Sequence, residues 1–483
     1  MIVSSLYFCF MNFTSHMIKN LLLLFTVFFF LFSCNNKKKD NTTFTYIGGE
    51  IINPKGDYVL IYEGDQLLDS IKLDADNHFI YKSTNLKEGL YSFSHDEFQV
   101  FYLKPLDSLM LRVNTMDFDE SLSFTGDGAE RNNFLMEMFL HNEEEIELMP
   151  KLYKLPPLEF EKAMDSLKTV RNNIYSDFSF SKESNNLFTE IAKASINYDY
   201  YSKKEIYITA NERKKGSESY VTIPESFYSY RKNIDFGSET LRSYFPYYRF
   251  LFRYFDNVAL DKNDISSYYN RNSFKHSYRK IELIDSTITN EDLKNSLIKN
   301  IAGRYLLNCN SKKDQQKMLA LFMKTNTNKE HQKELKEVAT SCMKLTPGHK
   351  ISNQLLVTPE NTYKDLQTII VKPTVIYFWS LKSVTHLKEI HRRVNDLKTK
   401  FPEFDFIGVN TDSNFNKWNA TIKKYGYTTS KEFQFNDIEN AQKDLIIYSI
   451  NKSIIVDEKG NIINGSTNLF SSKTEEILLS FLN

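Results

Sequence analysis

The pattern of hydrophobic and polar positions changes period twice along the chain. From residue 44 to residue 127, short runs that alternate apolar and polar residues are separated by turn sequences such as Asn53-Pro-Lys-Gly56. Such alternation is typical of β-strands with one buried face. About seven strands at a spacing of roughly 8–12 residues predict a small β-sandwich or a partly open barrel. The predicted strands begin at Tyr46, Tyr58, Leu67, His78, Gly89, Phe98 and Ser108.

In residues 128–345 the hydrophobic pattern has the period of an α-helix instead. Apolar residues recur there at helical spacing, which predicts helices at 130–149, 158–178, 183–201, 281–307, 313–323 and 330–343. The polar sequence that starts at Asp285 is a plausible cap, and it would split the long 281–307 helix in two. The aromatic stretch Tyr244–Phe255 is interpreted as a buried helix, with a surface for an extended peptide or a glycan as the alternative.

A β-α-β pattern organises the last part of the chain, residues 346–483. The apolar run Thr374–Trp379 has the length of a strand, and a polar turn follows it. An amphipathic helix is predicted next, at Thr385–Thr399, with an inner face of Leu387, Ile390, Val394 and Leu397. A second strand at 403–409 completes the unit. Beyond it the pattern predicts a helix at 414–425, strands at 452–457 and 461–464, and a helix at 473–482. The whole chain is therefore predicted to be a multi-domain α+β protein with an all-β start, a helical middle and an α/β end.

The segment around Trp379 resembles the active-site segment of thioredoxin folds of the TlpA/ResA type. Phe378-Trp379 and Lys388-Glu389-Ile390 stand where that family has the same residues on either side of a Cys-x-x-Cys motif. Ser383 and His386 hold the two cysteine positions, and Asn451 aligns with the cis-proline that faces the family's site. The resemblance implies a thioredoxin-like fold for residues 346–483. It also implies a preceding β domain of the kind found in envelope lipoproteins.

The family's chemistry needs a thiolate at a helix N-terminus and a second cysteine that resolves the mixed disulfide. Neither Ser383 nor His386 can do this, so we expect no catalytic residues. Ser383 is expected to cap the helix, with His386 exposed in its first turn. We expect a trans peptide bond at Asn451, because a cis bond before a non-proline residue costs about 2.5–4 kcal/mol.

The same residues could also suggest nucleophilic catalysis or metal binding. Ser383 and His386 are neighbours on a helix, as a nucleophile and its base would be, but no acidic residue or oxyanion motif accompanies them. His386, Glu389 and His391 are metal-ligand types, yet the two histidines diverge around the helix, so we expect no metal site. No cofactor is implied.

The composition excludes a global affinity for nucleic acid, because 61 Lys and Arg balance 61 Asp and Glu. A chain of 483 residues with only 15 Gly and 11 Pro, but 29 Tyr and 38 Phe, is typical of a folded protein with several domains.

Residues 1–34 predict an export signal. The apolar stretch Leu21–Phe32 is too short to cross a bilayer, which needs roughly 20 apolar residues. Leu31-Phe-Ser-Cys34 resembles a bacterial lipobox, which implies lipidation of Cys34 and a mature chain that starts there. The alternative is a signal anchor with a chance cysteine, and both Met1 and Met17 are candidate starts. With residues 35–43 as a polar tether, the prediction is a lipoprotein held on a membrane of a Gram-negative envelope, on its periplasmic side or at the cell surface.

Three functions stay open. The first is a binding module that holds a protein or peptide without redox turnover, in a groove lined by Trp379, Ser383, His386, Asn451 and Lys452. The second is a thiol–disulfide oxidoreductase that uses Cys309 and Cys342, each of which ends a predicted helix; these two are either a structural disulfide or separate buried thiols. The third is a surface lipoprotein that captures a ligand through the aromatic middle.

Overall fold

The computed structural model describes residues 44–64, 66–181, 186–211, 222–260, 273–427 and 431–482. The predicted export signal, Cys34 and the tether lie outside these ranges. The chain divides into two compact units, Met1–Asn133 and Phe134–Asn483. Within the described ranges, no helix has both the length and the apolar character needed to span a bilayer.

The first unit is an all-β region, as predicted. Two four-stranded sheets have the strand orders β4-β1-β7-β8 and β3-β2-β5-β6. Alternate residues of the strands face the core, so that Leu109, Leu111 and Val113 of β7 are buried. The alternation identified seven of the strands and missed only the short β8. The strands are β1 Thr45–Ile52, β2 Tyr58–Glu63, β3 Gln66–Lys72, β4 His78–Ser83, β5 Gly89–His95, β6 Glu97–Leu103, β7 Ser108–Asn114 and β8 Ser123–Gly126.

The middle of the chain is helical, as predicted. The long helix expected at 281–307 is two helices, because the side chain of Asn290 accepts a hydrogen bond from the Leu293 amide and begins the second one. A 3₁₀ helix occupies Glu225–Asn233. The α-helices span Ala129–Ile146, Met149–Leu152, Pro157–Ser181, Asn186–Asn211, Phe245–Val258, Phe274–Thr287, Glu291–Asn308, Lys312–Thr325 and Lys329–Lys344.

The aromatic stretch forms the Phe245–Val258 helix. Tyr247, Phe250 and Phe255 are buried, each with at most 1% of its surface exposed, whereas Phe245 at the helix start is 60% exposed. These rings pack inside the helical layer, which confirms the interpretation of the stretch as a buried helix. The rings of Tyr247, Phe250 and Phe255 are therefore closed to a glycan or a peptide.

Buried charges fix how these helices pack. Asp199 accepts hydrogen bonds of 2.7 Å from Arg171, Lys203 and Arg249. Burial raises the pKa of Asp199, but the three cations outweigh burial and hold the pKa below its ordinary value. A buried carboxylate with three cationic partners specifies one arrangement of the helices, because any other arrangement leaves buried charge unpaired.

The end of the chain forms a seven-stranded mixed sheet with the order β10-β9-β13-β12-β11-β14-β15. Strands β11, β12 and β13 are parallel, and β14 is antiparallel to β11. The strands are β9 Leu355–Val357, β10 Tyr363–Asp365, β11 Thr374–Trp379, β12 Asp405–Asn410, β13 Glu432–Phe435, β14 Lys452–Val456 and β15 Ile462–Asn468, and helices span Leu366–Ile369, Val384–Lys400, Phe415–Tyr425, Ile438–Leu445 and Ser472–Leu482. The predicted β-α-β unit is thus present.

Strand β11 is buried on both faces and divides the core in two. Val375 and Tyr377 pack with the predicted inner face of the Val384–Lys400 helix. Ile376 and Phe378 face the other way, into a cluster that includes Cys342 from the last helix of the middle region. Helices therefore cover both sides of the sheet, and one of them belongs to the helical middle.

A buried carboxylate lies under the end of β11. Glu432 of β13 is 3% exposed. It accepts hydrogen bonds from the Tyr377 hydroxyl (2.6 Å) and from Nε1 of Trp379 (2.9 Å), and Nε2 of His391 lies 3.2 Å from it. Gly408 on the neighbouring strand leaves room for this carboxylate, since a Cβ there would lie 2.3 Å from one of its oxygens. One side chain thus links two strands to the Val384–Lys400 helix.

We predict that Glu432→Gln lowers the free energy of unfolding by roughly 2–3 kcal/mol, because hydrogen bonds to a charged acceptor are lost or weakened in a buried site. The measurement is urea unfolding followed by tryptophan fluorescence. Trp379 and Trp418 are the only tryptophans of the chain and both lie in this sheet region, so the signal reports on it. Glu458→Gln, at an exposed turn position, is the matched control. Equal stability losses in the two variants would contradict this role of Glu432.

Candidate functional site

Three segments meet at the N-terminus of the Val384–Lys400 helix. They are the turn after β11, the loop that ends at Asn451 and the loop around Phe470. The rings of His386 and Phe470 pack edge to face with centroids 6.0 Å apart, and the Asn451 side chain is a hydrogen-bonding neighbour of His386. The positions that resemble the family's second cysteine and its cis-proline are therefore adjacent. The peptide bonds of the described residues are all trans, including the bond before Asn451, as expected.

The turn after β11 is held by a carboxylate at the end of β12. Asp412 accepts hydrogen bonds from the Ser380 hydroxyl (2.7 Å), the Leu381 amide (2.6 Å) and the Asn410 side chain (2.9 Å). The Ser380 hydroxyl oxygen in turn accepts from the Lys382 amide. Neither Ser380 nor Asp412 is among the predicted site residues, although a polar pair at the ends of adjacent parallel strands is a signal that could have indicated them.

The prediction that Ser383 caps the helix is wrong. Ser383 occupies the N-cap position, but its side chain makes no capping hydrogen bond. Its backbone (φ −124°, ψ 85°) lies away from the extended conformation that usually aims an N-cap side chain at the first helical amides. Its carbonyl accepts the first helical hydrogen bond, from the Leu387 amide, at 2.9 Å.

The prediction that His386 is exposed is also wrong. His386 is only 8% exposed, because it shares a helix face with Ile390 and is covered by Phe470. Neither ring nitrogen makes a hydrogen bond of regular geometry, and the Asn451 side chain is a hydrogen-bonding neighbour of the ring. Burial and the nearby His391 lower the pKa of His386 below its ordinary value of 6.5, against smaller opposing effects of Glu389 and Asn451. The ring is therefore neutral at pH 7, with one donor and one acceptor that make no hydrogen bond of regular geometry.

Trp379 and Lys452 do not lie in the predicted groove. Trp379 is fully buried and donates to Glu432, so it supports the site from below. The Lys452 ammonium donates to the carbonyls of Leu445 (2.7 Å) and Ile446 (3.1 Å), at the end of the Ile438–Leu445 helix. Of the predicted groove residues, the structure brings Ser383, His386 and Asn451 together.

Two apolar side chains complete the surface around these three residues. Val384 is 52% exposed and Phe470 is 43% exposed. Sequence analysis missed both, although apolar residues in otherwise polar turns were a visible signal. We name Ser383, Val384, His386, Asn451 and Phe470 the His386 patch. No carboxylate hydrogen-bonds to His386, and within the described ranges no three His, Cys, Asp or Glu side chains are grouped as metal ligands would be.

The thiols of Cys309 and Cys342 lie outside the His386 patch. Cys309 and Cys342 are both free, with Cys342 buried and Cys309 partly exposed. The structure therefore contains no disulfide between them, and the expectation that both thiols are buried is wrong for Cys309. Both nevertheless line one small cleft, together with Lys452 of β14.

Comparison with known proteins identifies the last domain. The Thioredoxin-like family model Thioredoxin_8 matches residues 371–462. No curated protein matches the chain. Three similar solved structures each align over 25–29% of this chain.

A crystal structure of a candidate thiol–disulfide oxidoreductase from Bacteroides vulgatus is 21% identical and aligns over 28% of this chain and 97% of its own, with a TM-score of 0.26. The thioredoxin domain of a thiol–disulfide oxidoreductase from the same species is 17% identical over 29% of this chain and 99% of its own, with a TM-score of 0.25. A thiol:disulfide interchange protein from Bacteroides sp. is 19% identical over 25% of this chain and 80% of its own, with a TM-score of 0.22. The C-terminal part of this chain is a thioredoxin-like domain.

Proposed function

We propose that the thioredoxin-like domain is a binding module that holds an extended protein or peptide segment at the His386 patch and exchanges no disulfides there. The observation that carries the proposal is the imidazole of His386, which is 8% exposed and makes no hydrogen bond of regular geometry at either nitrogen. A buried polar group left unpaired costs about 1–3 kcal/mol. Both nitrogens are closed to solvent in this conformation, so a ligand that pairs them displaces the side chains that cover them, of which Phe470 is one, and regains this free energy on binding.

The sequence of the domain argues against redox turnover at this site. The chain has no cysteine after Cys342, so the domain supplies no thiolate and no resolving thiol. Ser383 and His386 stand at the positions that resemble the family's cysteines. The scaffold around them is retained by Asp412 and Glu432, which hold the turn and the helix through hydrogen bonds.

The chemistry of the patch favours a polypeptide ligand. A neutral imidazole has one N–H donor and one acceptor, which match one backbone carbonyl and one backbone amide of an extended chain. Asn451 is exposed beside it and adds an amide group of the same kind. Val384 and Phe470 supply apolar contacts for side chains of that segment.

We predict that peptides selected for binding to the full-length chain, from a library of random displayed peptides, bind at the His386 patch. His386→Ala and Phe470→Asp should each weaken binding at least tenfold, because a single lost hydrogen-bonded or apolar anchor contributes on the order of 1.4 kcal/mol or more. The measurement is fluorescence anisotropy of the labelled peptides.

Tyr363→Asp is the matched control for that experiment. Tyr363 is 60% exposed and lies on β10, at the opposite edge of the sheet from β15. It should leave the affinity unchanged. Selected peptides that bind the His386→Ala and Phe470→Asp variants as tightly as the unmodified chain would refute the proposed site.

We predict that binding weakens as the pH falls below the ordinary histidine pKa of 6.5. The pKa of His386 is lowered in the free protein, so the ring is neutral above this value and gains a proton only as the pH falls further. A ligand that pairs the acceptor nitrogen competes with that proton, so the dissociation constant should rise up to about tenfold per pH unit below the pKa. Anisotropy titrations from pH 7.5 to 5 measure this, with His386→Asn as the variant that should lose the dependence. Tighter binding at low pH would contradict it.

We further propose that the chain is an envelope lipoprotein anchored through Cys34. The support is the sequence alone: the apolar stretch Leu21–Phe32 followed by Leu31-Phe-Ser-Cys34, which resembles a lipobox. Expression in a Gram-negative host fed an alkyne-tagged fatty acid should label the chain and place it in the membrane fraction. Cys34→Ser should lose the label, whereas Cys9→Ser should keep it. Label retained by Cys34→Ser would contradict the anchor.

A further inference from the structure

A second candidate site lies on the other side of β14, where the helical middle packs against the thioredoxin-like sheet. Cys309 directly follows the Glu291–Asn308 helix, and Cys342 lies in the last turn of the Lys329–Lys344 helix. Both thiols line one cleft with Gln315 and with Lys452 of β14, and the cleft has room for about one water molecule. The cleft thus combines two thiols and a cation.

The two thiols differ in exposure, and this difference sets their order of reaction. Cys309 is partly exposed. Its sulfur accepts a hydrogen bond from the Ser311 amide (3.4 Å), and the Gln315 side chain donates to its carbonyl (2.6 Å). Cys309 is therefore both accessible and held in place. Cys342 is 5% exposed, so an external reagent reaches Cys309 first.

Cys342 alone is a poor nucleophile. Burial raises the pKa of its thiol to about 11, opposed by the charge of Lys452 and reinforced by Cys309. Cys309 and Cys342 line the same small cleft, which is the geometric basis for a reaction between them. An inert buried thiol next to an accessible one is the arrangement in which the first captures a reagent and the second acts only inside the protein.

Lys452 supplies a fixed positive charge to this cleft. Two backbone carbonyls hold its ammonium group, at 2.7 and 3.1 Å. Burial lowers the pKa of Lys452 to about 8, so the group is mostly protonated at neutral pH. A cation beside a thiol stabilises the thiolate that exchange requires.

We infer that Cys309 and Cys342 form a reversible disulfide by exchange with a low-molecular-weight disulfide, R–S–S–R. The Cys309 thiolate attacks one sulfur, so that a Cys309–S–S–R bond forms and R–S⁻ leaves. That R–S⁻ takes the Cys342 proton, and the new thiolate attacks the Cys309 sulfur; the Cys309–Cys342 bond forms and a second R–S⁻ leaves and is protonated by solvent. The two cysteines lose two electrons and R–S–S–R becomes two R–SH.

The test uses the full-length chain and oxidised glutathione. After incubation, alkylation of the remaining thiols and tryptic digestion without reductant, mass spectrometry should find residues 305–312 joined to residues 337–344, which hold Cys309 and Cys342 respectively. Dithiothreitol should separate them. The cross-link closes a loop between two helices and should raise the melting temperature by about 5 °C. Glutathione that stays on Cys309 with no joined peptides would overturn the inference.

Three variants make the order of steps testable. Cys342→Ser should retain one glutathione on Cys309, because no thiol remains to displace it. Cys309→Ser should take up no glutathione at Cys342. Cys9→Ser combined with Cys34→Ser removes the other two cysteines of the chain and should still give the joined peptides. Glutathione on Cys342 in the Cys309→Ser variant, at the rate seen for Cys309, would show that burial does not set the order and would contradict the mechanism.

Discussion

The buried carboxylate of Glu432 is the constraint on which the thioredoxin-like domain depends most. A buried charge is tolerated only when polar groups surround it; here the Tyr377 hydroxyl and Nε1 of Trp379 donate to it, and Nε2 of His391 lies 3.2 Å away. Tyr377 and Trp379 end β11, and His391 lies in the helix that follows. The carboxylate therefore connects the strand to the helix that follows it. The residues between them, including Ser383 and His386, are placed as a consequence.

The hydrogen bonds of a second carboxylate, that of Asp412, explain how the turn after β11 keeps its shape although it contains no cysteine. Asp412 binds the hydroxyl of Ser380 and the amide of Leu381, so the turn is organised from the neighbouring strand. The Ser383 side chain makes no capping hydrogen bond, and both ring nitrogens of His386 are buried without a hydrogen bond of regular geometry. Nε1 of Trp418 and Oγ of Ser453 are in the same situation elsewhere in the domain. The His386 patch is distinguished by the exposed apolar side chains of Val384 and Phe470 beside such a group.

The elements predicted from the sequence are those that extend over enough residues to show a hydrophobic period. Strand β11 and the Val384–Lys400 helix are predicted nearly to the residue, whereas β9, β10 and β13 have only three or four residues each and were missed. The burial of His386 was misjudged for a different reason. Its position four residues before Ile390 was a visible signal, but the ring of Phe470 comes from a loop late in the chain, and one sequence gives no sign of that contact. The burial of Trp379 likewise depends on Glu432, which is distant in sequence.

The start of β14 connects the two proposed sites through elementary strand geometry. Successive residues of an extended chain point to opposite sides of a sheet. Asn451, in the turn directly before β14, is a neighbour of His386 on the side of the Val384–Lys400 helix. Lys452, the first residue of β14, acts instead on Cys342, on the side of the helical middle. The two proposed sites therefore meet at adjacent residues, in the compact unit that contains both the helical middle and this domain.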